Sequence, residues 1–239
     1  AGLPAVLACF TAAGFALAGK IPFAASYACF HPANSWGVIR TSICYSNLNV
    51  KLVGGHGGLV TGPDGATHQS LEDVALMRVL PHMTVVVPAD AEEARQATRA
   101  LAKHVGPAYL RTSKFDVPSL TPEGAHFEIG KARVMREGND ITLIACGVMV
   151  SIAMTVATYL DQQHISTRVI NMHTLKPLDK QAILTAAQET KAIFTLEDHQ
   201  IIGGLGEAVG AVLSEHLLMF SRPIFFKRLG IRDSFGESG

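Results

Sequence analysis

Three ionisable side chains stand in one glycine-rich stretch, HGGLVTGPDGATHQ at 56–69. His56, Asp64 and His68 share it with Gly57, Gly58, Gly62 and Gly65. Ordering glycine costs more backbone entropy than ordering any other residue, so a merely structural loop rarely uses so much of it. A merely flexible loop has no need of ionisable groups at fixed places. The stretch reads as backbone shaped around a ligand. Imidazoles beside a carboxylate hydrogen-bond hydroxyl groups and move protons near neutral pH. Zinc ligation fits less well, because gaps of eight and four residues between the three side chains are filled with glycine rather than with helix or ribbon. A polar surface loop is the third possibility.

Other residues carry two readings each. IIGGLGEAV at 201–209 has glycines entering a helix pattern, as a phosphate cradle at a helix N-terminus would. It lacks the full GxGxxG spacing, and a tight strand-to-helix turn is the preferred reading. Tyr27 and Phe30 are core aromatics by default. Arg111, at the end of an apolar run, is either an anion ligand or a solvated charge.

The elements that must position these residues alternate strand and helix. The spacing predicts a helix over 71–80, a strand over 83–88, an amphipathic helix over 90–104 and a strand over 107–113. Asp90 suits an N-cap, and Glu92 and Glu93 fall in the first turn, where the helix dipole favours negative charge. KFDVPSLTPEGAHFE at 114–128 breaks the rhythm and reads as a linker. A second series follows, with strands over 140–147, 166–172, 191–198 and 223–230 and helices over 149–163, 179–188 and 205–217. Apolar strands between helices indicate an α/β fold of parallel sheets with helices on both faces. The reading is two α/β domains, 1–118 and 119–239, with the first short of strands for a complete sheet.

The totals bound the function. The 239 residues are 48% hydrophobic and 17% charged, with a net charge of zero, so a large core or a large partner surface is expected. There is no basic run and no aromatic-basic interleaving, which argues against nucleic acid and against an anionic membrane surface. The four cysteines, Cys9, Cys29, Cys44 and Cys146, form no CxxC pair and read as buried reduced thiols of a cytoplasmic protein. Residues 1–18 carry no charge, but they are mostly Ala and Gly, and Pro4 interrupts them. A buried helix starting near Thr11 is preferred there over a signal peptide or a membrane span, and the chain is read as beginning inside a domain.

AAGFALAGKIPF, the long block from HGGLVTGPDGATHQ to VVVPADAEEA, GPAYLR, TLKPLD and EDHQIIGGLGEAV together resemble the C-terminal section of a transketolase, and above all the separate C-terminal subunit of a split-gene transketolase. The resemblance runs from about Thr11 to Gly239. It implies a partial pyrimidine-binding domain for thiamine diphosphate (ThDP), followed by a transketolase C-terminal α/β domain. It implies that His56, Asp64 and His68 contact sugar hydroxyls and the forming carbonyl, with the two histidines in the catalytic roles. It further implies that Arg111 binds the sugar phosphate and that Tyr27 and Phe30 hold the aminopyrimidine ring. The expected reaction is transfer of a two-carbon ketol unit between sugar phosphates. The implied partners are an N-terminal subunit, which would hold the diphosphate and Mg²⁺, and a second copy of this chain, in dimers or a heterotetramer. No metal is expected on the chain itself.

The sequence departs from the family at one telling place. The resemblance implies an acid near Ala5, a glutamate that activates the cofactor, yet residues 2–10 read GLPAVLACF and no Asp or Glu precedes Asp64. The enzymatic alternative is a deoxyxylulose-phosphate synthase or a pyruvate dehydrogenase E1 β-like chain, which share the fold and the cofactor. The other alternative is a non-catalytic assembly subunit.

Overall fold

A computed structural model describes residues 2–237. Two five-stranded sheets are flanked by seven α-helices. The first half of the chain provides α1 (Gly2–Leu17), β1 (Phe23–Tyr27), α2 (His31–Val38), β2 (Lys51–Gly55), α3 (Asp73–Arg78), β3 (Thr84–Val86), α4 (Ala91–Lys103) and β4 (Ala108–Arg111). The second half provides β5 (Arg133–Arg136), β6 (Ile141–Ala145), α5 (Met149–Asp161), β7 (Thr167–Asn171), β8 (Thr174–Lys176), α6 (Lys180–Glu189), β9 (Ala192–Gln200), α7 (Leu205–Glu215) and β10 (Phe225–Ile231).

The first sheet has the order β1-β2-β4-β3-β8. Its first four strands are parallel, and β8 joins antiparallel beside β3. The second half thus contributes one strand to the first sheet. The second sheet, β10-β9-β6-β7-β5, is parallel except for the antiparallel edge strand β5. One apolar cluster runs through both halves and includes Ile43, Leu52 and Tyr109 together with Ile144, Ile193 and Leu205.

The capping expectations hold. Asp90 accepts from the Glu93 amide at 2.8 Å, and its second oxygen accepts from the amides of Leu120 and Thr121, so the cap of α4 also ties down the segment after β4. Glu93 is fully buried; its carboxylate accepts from Ala89 N and from the Asn171 side chain of β7. Lys51, also fully buried, donates to the carbonyls of His104 and Gly106 at the end of α4. Burial lowers its pKa to about 8.

The N-terminal segment differs from the expectation. The helix starts at Gly2 rather than near Thr11, because Pro4 sits in the first turn, where a missing N–H removes no helical bond. Nor is the helix buried all round. Ala5, Cys9, Ala12 and Ala13 face the core, while Leu3, Leu7, Phe10, Phe15 and Leu17 are exposed. All four cysteines are unpaired; Cys9, Cys44 and Cys146 are buried and Cys29 is half-buried. Among the described residues no helix is long and apolar enough to cross a membrane.

His173 lies at the junction of the two halves. Its carbonyl accepts from Val87 N at 2.8 Å, its ring packs on Phe127 at 4.2 Å, and it is 2% exposed. Burial lowers its pKa to about 4, so the folded protein holds it neutral. The stability this represents is fully present above pH 6.5, the unfolded value, and is lost as pH falls through the folded one. Urea unfolding at pH 6.5 and pH 4 is expected to show the parent losing about 3 kcal/mol more than a His173→Gln variant; equal losses would refute a neutral buried imidazole.

Candidate functional site

β1 and β2 run parallel with Tyr27 opposite Gly55, so their C-terminal ends coincide and His56 follows at once. Crevices outside the carboxyl ends of strands are where open α/β sheets bind ligands. The His56 ring stacks on Tyr27 with centroids 4.2 Å apart and planes 25° apart. His68 meets Tyr27 edge-on at 5.8 Å and Phe30 edge-on at 5.3 Å. Tyr27 and Phe30 are themselves 6.0 Å apart. Four of the six residues expected at a site thus form one half-buried group of rings, and Tyr27 and Phe30 are not simple core aromatics.

The loop between the histidines is shaped by specific bonds. His56 adopts φ +58°, in the left-handed region where a non-glycine residue is uncommon. The next amides are each anchored: Gly57 N donates to Thr112 O at 2.9 Å and Gly58 N to Ser70 O at 2.9 Å. Gly57 packs against the Arg111 guanidinium and Gly58 against the Asp198 carboxylate, and a Cβ at either position would overlap those groups. A 3-10 turn, Gly62–Asp64, then leads to His68, whose amide donates to Gly65 O at 3.0 Å and whose Nδ1 pairs with the Thr67 hydroxyl at 2.9 Å. Asp64 is exposed on that turn and stands outside the ring group.

Arg111 is not a solvated charge, one of the two readings left open for it. It is 5% exposed and points inward. Its Nε donates to Asp73 Oδ2 at 3.0 Å, and its Nη2 donates to Ser70 O at 3.1 Å and to Asp198 O at 2.8 Å. The Tyr109 hydroxyl donates to the same Asp73 oxygen at 2.7 Å. These bonds engage Nε and Nη2 and rule out a freely solvated charge. The cation at the loop is Lys114, exposed, with its Nζ 3.4 Å from where a Cβ on Gly62 would stand. Sequence reasoning placed Lys114 in a linker and left it out.

The glycine-rich turn at 201–206 is a strand-to-helix turn, as preferred. The anion seat at the start of α7 is filled from within: Glu197 accepts from Leu205 N at 2.7 Å and from Gly206 N at 2.8 Å. Burial raises the Glu197 pKa to about 7, against the lowering effect of those two amides. Cys29, between the two site aromatics, stays a thiol at neutral pH because burial pushes it up to about 11. Among the described residues no three His, Cys, Asp or Glu side chains are gathered so as to hold a metal ion.

The sequence matches two known domains, the transketolase pyrimidine-binding domain over residues 8–119 and the transketolase C-terminal domain over 130–239. It is 40% identical over 228 residues to a 6-deoxy-6-sulfo-D-fructose transketolase subunit of Clostridium sp. (strain MSTE9), covering 95% of this chain and 69% of that protein. It is 38% identical over 222 residues to an apulose-4-phosphate transketolase subunit of Phocaeicola vulgatus, covering 92% of this chain and 69% of that one. A solved structure described as a split-gene transketolase, inactive β4 tetramer, superposes with a TM-score of 0.89 at 42% identity, covering 97% of this chain and 73% of that chain.

Truncating Arg111 tests its placement. Arg111→Met leaves Asp73 as an uncompensated buried charge and is expected to destabilise the protein by about 3–5 kcal/mol in chemical denaturation. A stability within 1 kcal/mol of the parent, roughly what loss of an exposed charge costs, would return Arg111 to the reading of a solvated charge.

Proposed function

The chain belongs to the transketolase family, and from that premise we propose that it is the C-terminal subunit of a split transketolase, acting with ThDP to transfer a two-carbon ketol unit between sugar phosphates. The observation that carries this reading is the group of four rings, Tyr27, Phe30, His56 and His68, at the ends of β1 and β2. ThDP, where bound, would supply a carbon nucleophile for a ketose carbonyl. Tyr27 and Phe30 offer faces and edges on which a pyrimidine packs, worth about 1 kcal/mol beyond burial. His56 and His68 take and return the protons of sugar hydroxyls, which imidazole does well near neutral pH. Asp64, exposed beside them, accepts a hydrogen bond from a substrate hydroxyl. Arg111, at the end of β4, is proposed to meet the sugar phosphate, with Lys114, the exposed cation beside Gly62, assisting it.

The fit to the cofactor is good for the ring faces and poor for the acid. Ala5, where the resemblance implies a glutamate, is a buried methyl in α1, 3% exposed, and no Asp or Glu precedes Asp64. That alanine favours a second reading, an assembly subunit without activity of its own. The N-terminal subunit is proposed as the holder of the diphosphate and of Mg²⁺. The exposed Leu3, Leu7, Phe10 and Leu17 lie on one stripe of α1, at i, i+4, i+7 and i+14, within a stretch free of charge up to Lys20. Such a face pairs with a second copy of itself without like-charge repulsion, and self-association is proposed there.

The chain mixed with a transketolase N-terminal subunit, ThDP and Mg²⁺ is expected to bind ThDP and to transfer ketol units from xylulose 5-phosphate. His68→Ala is expected to lower kcat/KM roughly 100-fold, and Lys114→Ala to raise KM for phosphorylated donors about tenfold while sparing unphosphorylated ones. Wild-type transfer by the His68 variant would remove the loop from the mechanism. ThDP binding without transfer, or decarboxylation of pyruvate in its place, would overturn the ketol-transfer reading; no binding at all would favour the assembly subunit. Sedimentation is a separate check on the stripe: Leu7→Glu with Phe10→Glu is expected to dissociate the chain to monomers, and an unchanged oligomer would move the interface elsewhere.

A further inference from the structure

The last residues of β9, beyond its pairing with β6, bond to the first half one after another. Asp198 O accepts from Arg111, His199 Nε2 accepts from Ala75 N at 3.4 Å, and Gln200 N donates to Leu71 O at 2.8 Å. Asp198 does one thing more. Both of its carboxylate oxygens accept from the amide of Leu59, at 3.2 and 3.3 Å. Leu59 is the third residue after His56, and its amide completes a series. Gly57 and Gly58 are held by backbone carbonyls of the first half, and Leu59 by a side chain of the second. Leu59 is gripped on its other side too, because Gln69 Nε2 donates to its carbonyl at 2.8 Å.

The backbone of Asp198 is fixed by Arg111, so its carboxylate has little freedom to follow a moving loop. Gly58 lies so close to that carboxylate that no side chain fits between them. His56, one residue before this clasp, keeps a left-handed conformation that survives only where the surroundings over-determine it. The C-terminal domain contributes no ring to the site, yet it controls the segment from which the His56 ring projects. We propose that Asp198 is a positioning residue, through which the C-terminal domain sets the shape of the His56–Leu59 segment and so the seating of His56 on Tyr27. The proposal rests on the reading of the 56–69 loop as the site, but its test needs no substrate, so failure of the proposed reaction would leave the outcome intact.

The full chain is compared with Asp198→Ala and Asp198→Asn by amide hydrogen exchange and by NMR of the histidine rings. The alanine variant is expected to exchange roughly tenfold faster or more at Gly58 and Leu59, as lost protection of a locally opening segment, and to lose the ring-current shift that Tyr27 imposes on His56. Asparagine, which keeps an acceptor oxygen at the same reach, is expected to restore both signals. Protection of Thr195 and Leu196 in β9 is expected to match the parent in all variants. Unchanged exchange at 58–59, an asparagine variant as damaged as alanine, or opening of β9 together with the loop would each overturn the proposal. If the alanine variant does not fold, Asp198→Ser, which falls short of Leu59, carries the same expectation.

Discussion

A buried arginine sets the terms for this molecule. Arg111 ends a strand whose four residues are all buried, and little of its surface reaches water. Such a charge is tolerated only when it is paired and when each remaining donor finds an acceptor. Asp73 at the start of α3 supplies the pair, Ser70 supplies a carbonyl from the end of the site loop, and Asp198 supplies a carbonyl from the second sheet. Two segments far from each other and from β4 in sequence, 70–73 and the end of β9, must therefore meet at one guanidinium. The site loop is strung between two of these anchors, with Gly57 against the guanidinium itself and Ser70 bonded to it. Removing the charge would do more than delete a contact, because it would release the point at which loop, helix and second domain are registered.

That constraint also explains the glycines of the loop. Their density suggests backbone wrapped around a ligand, and one face of the loop does carry the rings. The other face is pressed onto polar side chains of the interior. Gly57 leaves room for Arg111, and Gly58 leaves room for Asp198 while holding φ +95°. Close approach, more than mobility, is what these two positions require. Each is also pinned through its amide, so the entropy cost of ordering glycine is met by hydrogen bonds that a bulkier residue could not approach closely enough to make.

Much of this was legible in the sequence, for identifiable reasons. Asp90 announces α4 because an N-cap is a local device, its carboxylate accepting from the amide three residues on, and Asp179 caps α6 in the same way. The ring cluster was legible only through resemblance, since nothing local brings Tyr27 and Phe30 to His56 and His68; the parallel register of β1 on β2 does that. The start of α1 was misplaced because Pro4 looks like a breaker and is harmless in a first turn. The strands β5 and β8 were missed because each is short and pairs antiparallel at the margin of a sheet, β8 with strands of the other half. The burial of Arg111 was not legible because a strand end buried on both faces shows no alternation, so side-chain direction cannot be read from the pattern. Asp198 left a trace only in the glycine it displaces, and that trace is intelligible only once the two are seen together.

The two acids that end β9 divide the labour of the C-terminal domain. Glu197 turns inward and neutralises the amides that open α7, so a turn that looks able to hold a phosphate is already occupied by the chain's own carboxylate. Asp198, the next residue, points the opposite way along the pleat and reaches the site loop. One residue of register therefore separates internal helix capping from control of the site. A slip of one position in β9 would exchange their roles, leaving α7 uncapped and Leu59 unheld. The pairing of β9 with both β6 and β10 over 192–196, just before these acids, guards against such a slip, which makes a central strand of the second sheet the ruler for a loop in the first.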